Sequence, residues 1–170
     1  WGDATITDDS AVKLFDGDPD SGGVRVYDRD HVFANDVYLQ NGLIRLHIDE
    51  FVQYGFKLYG YYGAVWNQPA NRIYFKLQDD GKDVWYPTLQ NILSVSPEKT
   101  VLEVRFLDSA TEDADYYLDC KITLNRGELG IQIEPTSVFP VQDVRFYGFD
   151  SSSIRFGYVG DNMVGDDDVD

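Results

Sequence analysis

The sequence predicts an all-β protein, an antiparallel β-sandwich with no substantial helix, on three observations. Apolar and polar residues alternate with period 2 in one short run after another, and no window carries a helix-period stripe of useful length. The runs recur roughly every 8–12 residues with turn residues between them, as in a sandwich or barrel. Aromatic residues make up 15% of the 170 residues, and such bulky groups suit a pleated, half-buried surface better than a helix. A chain of this length removes about 70% of its unfolded surface from water, so one core forms without disulfides.

The first 23 residues end in "FDGDPDSGG", a Gly, Asp and Pro cluster that breaks regular structure. Residues 1–23 are therefore expected as an N-terminal loop or arm, 24–160 as the sandwich and 161–170 as an acidic tail or linker. Within the sandwich, "GVRVYD" sets Val24 and Val26 on one face, and "LIRLHI" sets Ile44, Leu46 and Ile48 against Arg45 and His47. "GFKLYGYYG" opposes Phe56 and Leu58 to Lys57 and Tyr59, "NRIYFKL" continues the pattern, and "VLEVRFL" alternates Leu102, Val104 and Phe106 with Glu103 and Arg105. "YYLDCKITL" places Leu118, Cys120, Ile122 and Leu124 on one face, "GIQIEP" repeats the alternation, and "VRFYGF" and "SIRFGYV" close the series. Asn41-Gly42 predicts a two-residue hairpin turn, because both residues tolerate positive φ, and Asp80-Gly81 predicts a second. Arg126-Gly127 and Gly130 predict a third. Hairpins of this length join antiparallel neighbours, since parallel ones need long crossovers.

Charge narrows the partners. With 30 acidic and 14 basic residues the formal net charge is -16, a field that repels phosphate backbones and anionic lipid surfaces, so neither nucleic acid nor membrane is expected as a partner. No apolar run approaches the roughly 20 residues of a membrane-spanning helix. Of the acids 24 are Asp, and of the bases only 6 are Lys, the balance of a protein living in concentrated salt, where a Debye length of about 3 Å at 1 M removes most self-repulsion. A high-salt environment is expected on this ground. The single Cys120 excludes an internal disulfide and is expected as a buried structural thiol rather than a nucleophile. The chain opens at Trp1 without Met, which reads as a processed start or an excerpt.

Catalytic constellations are missing from the pattern. There is no Gly-x-Ser-x-Gly elbow, Gly-rich phosphate loop, His-Glu-x-x-His or paired Cys, so no catalytic residue is assigned and the chain is expected not to be an enzyme. Of the two histidines, His47 is expected as an exposed imidazole on the polar face of its strand. His31 follows Asp28 and Asp30 and reads as a loop residue or a carboxylate-oriented base. Asp16, Asp18 and Asp20 have the i, i+2, i+4 oxygen spacing of a calcium loop, but the Gly comes one position late and no Glu stands at the twelfth. A solvated acidic turn is the first reading and calcium the alternative; no other cofactor is expected. Tyr59, Tyr61, Tyr62 and Trp66 cluster among Gly and Asn, and "DVWYP" adds Trp85 and Tyr86. Rigid aromatic faces beside amides suit core, a protein interface or a sugar platform, and these six are the expected interface or ligand contacts.

"VYLQNGLIRLHID" (37–49) followed by "GFKLYGYYGAVWNQ" (55–68) resembles the opening of domains in the galactose-mutarotase-like β-sandwich superfamily. The resemblance implies a galactose-mutarotase-like or jelly-roll-like sandwich. Members that act on sugars carry His and carboxylates in a concave sheet, and no second strand here supplies such a His, so the implied fold comes without the catalysis. A second resemblance is to tail or baseplate-type structural proteins of tailed viruses of halophilic archaea, through "VYDRDHVFAND" (26–36), "LQNGLIRL" (39–46) and "RFYGFDSSSIRFGYVGD" (145–161). It implies a non-enzymatic virion subunit, in the tail, the baseplate or decorating the capsid, whose partners are copies of itself and other virion proteins. The alternative is a carbohydrate-binding module of a cell-surface or secreted protein, with a cell-surface glycan as its ligand.

Overall fold

The computed structural model describes residues 10–23, 25–27, 36–50, 55–62, 65–70, 72–77, 82–108, 116–136, 141–147, 157–159 and 162–164. Their strands are β1 (Lys13–Asp16), β2 (Arg25–Val26), β3 (Asp36–Gln40), β4 (Ile44–Asp49), β5 (Phe56–Tyr62), β6 (Val65–Ala70), β7 (Arg72–Leu77) and β8 (Asp83–Val84). They continue with β9 (Tyr86–Ser94), β10 (Lys99–Leu107), β11 (Tyr117–Asn125), β12 (Gln132–Pro135), β13 (Val141–Tyr147), β14 (Gly157–Val159) and β15 (Asn162–Val164). Every pairing is antiparallel, and the all-β class holds.

A six-stranded sheet runs β2-β1-β3-β4-β5-β6 and a four-stranded sheet runs β12-β11-β10-β9, with smaller sheets β13-β7-β8 and β14-β15. One apolar core joins the first three. The large sheet contributes Leu14, Val37, Leu39, Leu46, Ile48 and Phe56, and the four-stranded sheet contributes Leu102, Val104, Phe106, Leu118, Cys120, Ile122 and Leu124. Phe75, Leu77 and Val84 come from the third. Phe106 sits at the junction, its ring centroid 5.2 Å from Phe56 and 4.8 Å from Phe75. Strict alternation is the cause: β10 and β11 bury every second residue along their whole length.

Two devices fasten the layers. Asn41 is fully buried; its Oδ1 accepts the N–H groups of Leu43 (3.1 Å) and Ile44 (3.0 Å), while its Nδ2 donates to the carbonyls of Asn125, at the end of β11, and Glu128, in the turn that follows it, each at 2.8 Å. Glu50, just past β4, accepts the Leu89 N–H on its carboxylate and the Tyr86 hydroxyl on its carbonyl. Burial pushes the Glu50 carboxyl upward, and the Leu89 bond opposes it. The Leu89 N–H faces Glu50 where β9 is irregular: its register on β10 skips Gln90 and Leu93, which bulge out, leaving Leu93 exposed.

Several expectations change. Residues 13–16 of the expected arm form β1, whose Leu14 is buried in the core opposite Leu39; four residues carry too little alternation to stand out beside an Asp-Gly cluster. Residues 162–164 of the expected tail form β15 against β14. The β3–β4 hairpin exists, but Asn41 closes it by an N–H bond to the Ile44 carbonyl, so Gly42 (φ +79°) and Leu43 are the central pair. Gly42 supplies the positive φ of the turn, and the Asn41 side chain, not its carbonyl, takes the Leu43 and Ile44 N–H groups while its amide fastens the layers. The β7–β8 and β11–β12 hairpins pair as expected, Gly127 turning the latter at φ +68°; Asp80-Gly81, Val24, His31 and residues 165–170 lie outside the described residues.

Candidate functional site

The outer face of the large sheet carries the polar chemistry. In β3, Asp36, Tyr38 and Gln40 point away from the core; in β4 so do Arg45, His47 and Asp49. Register aligns them in pairs, Asp36 with Asp49, Tyr38 with His47 and Gln40 with Arg45, and Tyr59 of β5 stands opposite Arg45. β4 has three strands of the sheet on one side and two on the other, so its outward side chains lie among those of its neighbours.

His47 is accordingly buried, at 7% exposure, which corrects the expectation of an exposed imidazole. Period 2 assigns a face but not what covers it. Here the Tyr38 ring stacks on the imidazole at 4.0 Å and 10°, and His47 Nε2 meets the Asp36 carboxylate. His47 Nδ1 is enclosed and has no hydrogen-bond partner among the described residues. Burial, followed by the Asp36 charge, holds the Tyr38 phenol far above its ordinary range.

Arg45 is also buried, at 5% exposure. Its Nε donates to Gln40 Oε1 at 2.7 Å, and its two terminal nitrogens clamp Asp20 at 2.7 and 3.3 Å. The guanidinium lies 4.3 Å from the Trp66 ring centroid and 5.7 Å from that of Tyr38, close enough for cation–π attraction. Trp66 in turn meets Tyr61 at 5.1 Å. One row of neighbouring rings and guanidinium therefore runs His47, Tyr38, Arg45, Trp66, Tyr61 across four strands. The Tyr59 phenol beside it is raised by burial, against the pull of Arg45.

The loop after β1 explains the Asp20 clamp. Gly17 (φ +83°) turns the chain out of β1 and donates to the Asp36 carbonyl at 2.7 Å. Asp18 Oδ1 accepts the Asp20 N–H at 2.9 Å and the Asp18 carbonyl accepts the Ser21 hydroxyl at 2.7 Å, a local Asx-type turn. Hydrogen bonding to Arg45 lowers the Asp20 carboxyl, with burial opposing. Of the expected calcium oxygens, Asp18 and Asp20 are thus engaged in a turn and an ion pair, and Asp16 lies in β1. Among the described residues, the group whose ligand atoms do come together is Asp36, His47 and Asp49, all within 4.8 Å of one another.

The six expected aromatic contacts divide. Tyr61 and Trp66 form a pair with Tyr61 and Val65 exposed, at 47% and 57%, and half-buried Tyr59 adjoins them; the Tyr62 side chain lies outside the described residues. Trp85 and Tyr86 sit elsewhere, Tyr86 bound to Glu50 past the far end of β4 from the Tyr61 pairing. Sequence reading missed Arg45, Asp36, Tyr38 and Asp49; the signal was available in their parity, which puts them all on one face of a hairpin. Cys120 is buried as expected, and burial pushes its thiol up to about 12. No protein-family model, curated protein or solved structure matches the chain.

Proposed function

We propose that this chain is a non-enzymatic structural subunit of the virion of a halophilic tailed virus, in the tail, the baseplate or on the capsid, working through protein–protein contacts. The observation that carries this reading is the Tyr61 ring, 47% exposed on the outer face of the large sheet and set against Trp66 of the end strand β6. Aromatic residues in a rigid, partly buried setting are typical interface anchors. Arg45 supports the same reading, because its guanidinium occupies a face of Trp66 on which a sugar ring would otherwise stack. Copies of the chain joined through this face and a different surface of the neighbour would close into rings.

Light scattering in concentrated KCl and at low salt tests it, since screening must hold this acidic surface together with another like it. A discrete oligomer in high salt, reduced to monomer by Tyr61→Ser, is the expected result. A monomer at every salt concentration overturns it. The exposed Tyr61 ring set against Trp66 favours carbohydrate binding as a second reading. Glycan-array binding that Tyr61→Ala abolishes, by a chain that stays monomeric, would establish that reading instead.

A further inference from the structure

Three side chains of the outer face have an arrangement that assembly does not use. Asp36 and Asp49 stand directly opposite each other across the β3–β4 ladder, and His47 precedes Asp49 by two residues on the same face. Two carboxylates on one rung repel, and a cation between them turns that repulsion into attraction. His47 completes the set. Its ring is more than nine-tenths buried and stacked on Tyr38, with Nε2 held against the Asp36 carboxylate. A ligand nitrogen fixed in place beforehand loses little freedom when an ion binds.

We propose that Asp36, His47 and Asp49 bind one divalent transition-metal ion, with Zn²⁺ as the expected occupant. Each carboxylate gives one oxygen and the imidazole gives one nitrogen. The donor set makes the choice: Ca²⁺ and Mg²⁺ take oxygen ligands, whereas imidazole with carboxylates suits zinc and its neighbours. Ligand atoms about 2.0–2.2 Å from a shared zinc can stand at most about 4.4 Å apart. The three atoms here are all within 4.8 Å, so small side-chain movements bring them onto one ion. Asp36 is partly exposed, which gives the ion a path from solvent and leaves its fourth position open outward. The site differs from the Asp16, Asp18, Asp20 loop in both residues and metal class.

The test uses the whole chain, stripped with chelator and desalted into concentrated KCl. Zn²⁺ is added stepwise while the imidazole nitrogens of the two histidines are followed by NMR, and bound metal is counted by mass spectrometry after gel filtration. The expected result is one retained Zn²⁺ per chain and a stoichiometric shift of the His47 resonances, assigned with His31→Gln. A large excess of Ca²⁺ leaves that shift unchanged. Asp49→Asn is expected to weaken binding about tenfold or more, while Asp18→Asn leaves it as in the parent. Failure to retain zinc, a shift confined to His31, or displacement by Ca²⁺ overturns the proposal; the wild-type titration decides this even if Asp49→Asn does not fold.

Discussion

Asn41 makes four hydrogen bonds from one fully buried side chain. Replacing it with Ala removes all four and leaves buried N–H and carbonyl groups unpaired, at about 1–3 kcal/mol for such a group. Asn41→Ala is therefore expected to lose about 3 kcal/mol or more in denaturant unfolding, with the slope unchanged; a loss below about 1 kcal/mol would mean that water replaces the amide. A one-residue slip of β3 along β4 would also turn this amide to the wrong face, so the side chain selects the hairpin's register. Asp20 acts more weakly, because its carboxylate is largely exposed and an exposed pair contributes no more than about 1 kcal/mol. Its carboxyl is lowered in the folded state, so its contribution is present above its unfolded pKa of about 3.9 and fades as pH falls through the lower folded value. Melting curves of the parent and Asp20→Asn are expected to differ at pH 7 and to converge in acid. That Arg45 and His47 would be buried could not be read locally, because what covers them comes from other strands and from a loop more than twenty residues away in sequence.

The central strands β10 and β11 were fully legible, since every second residue is apolar and every second residue is buried. β9 was less so, because each bulge resets the period that sequence reading relies on. Phe106 of β10 contacts rings from two other sheets, and Phe106→Ala is expected to cost about 3–5 kcal/mol; a loss under about 1 kcal/mol would show that the layers do not rely on that junction. In β11, Cys120 is enclosed and its thiol is raised to about 12, so the thiolate is scarce at neutral pH. Alkylation at pH 8 is expected to be negligible in the folded chain and rapid in denaturant. Across the ladder from β11, Arg105 grips the Asp119 carboxylate at 2.7 and 2.9 Å and lies 4.1 Å from the Tyr117 ring centroid; this pair belongs to the rung and serves register rather than a site.

For the molecule as a whole, a net charge of -16 opposes compaction wherever counterions are scarce. Melting temperature is expected to rise from about 0.1 M to 1 M KCl as the Debye length falls from about 10 Å to 3 Å. A flat response would remove the case for salt adaptation. The fold class was legible because alternation is written through most of the longer strands, whereas the partition into sheets was not, since it depends on which distant strands meet. The strand that ends the large sheet has one further consequence. β6 includes Pro69, and a proline has no N–H to donate, so this margin cannot offer an unbroken row of donors to a newcomer. Growth by endless backbone stitching is thereby discouraged. Any association on that side would fall to side chains, whose contacts saturate, rather than to a backbone ladder that can be extended without limit.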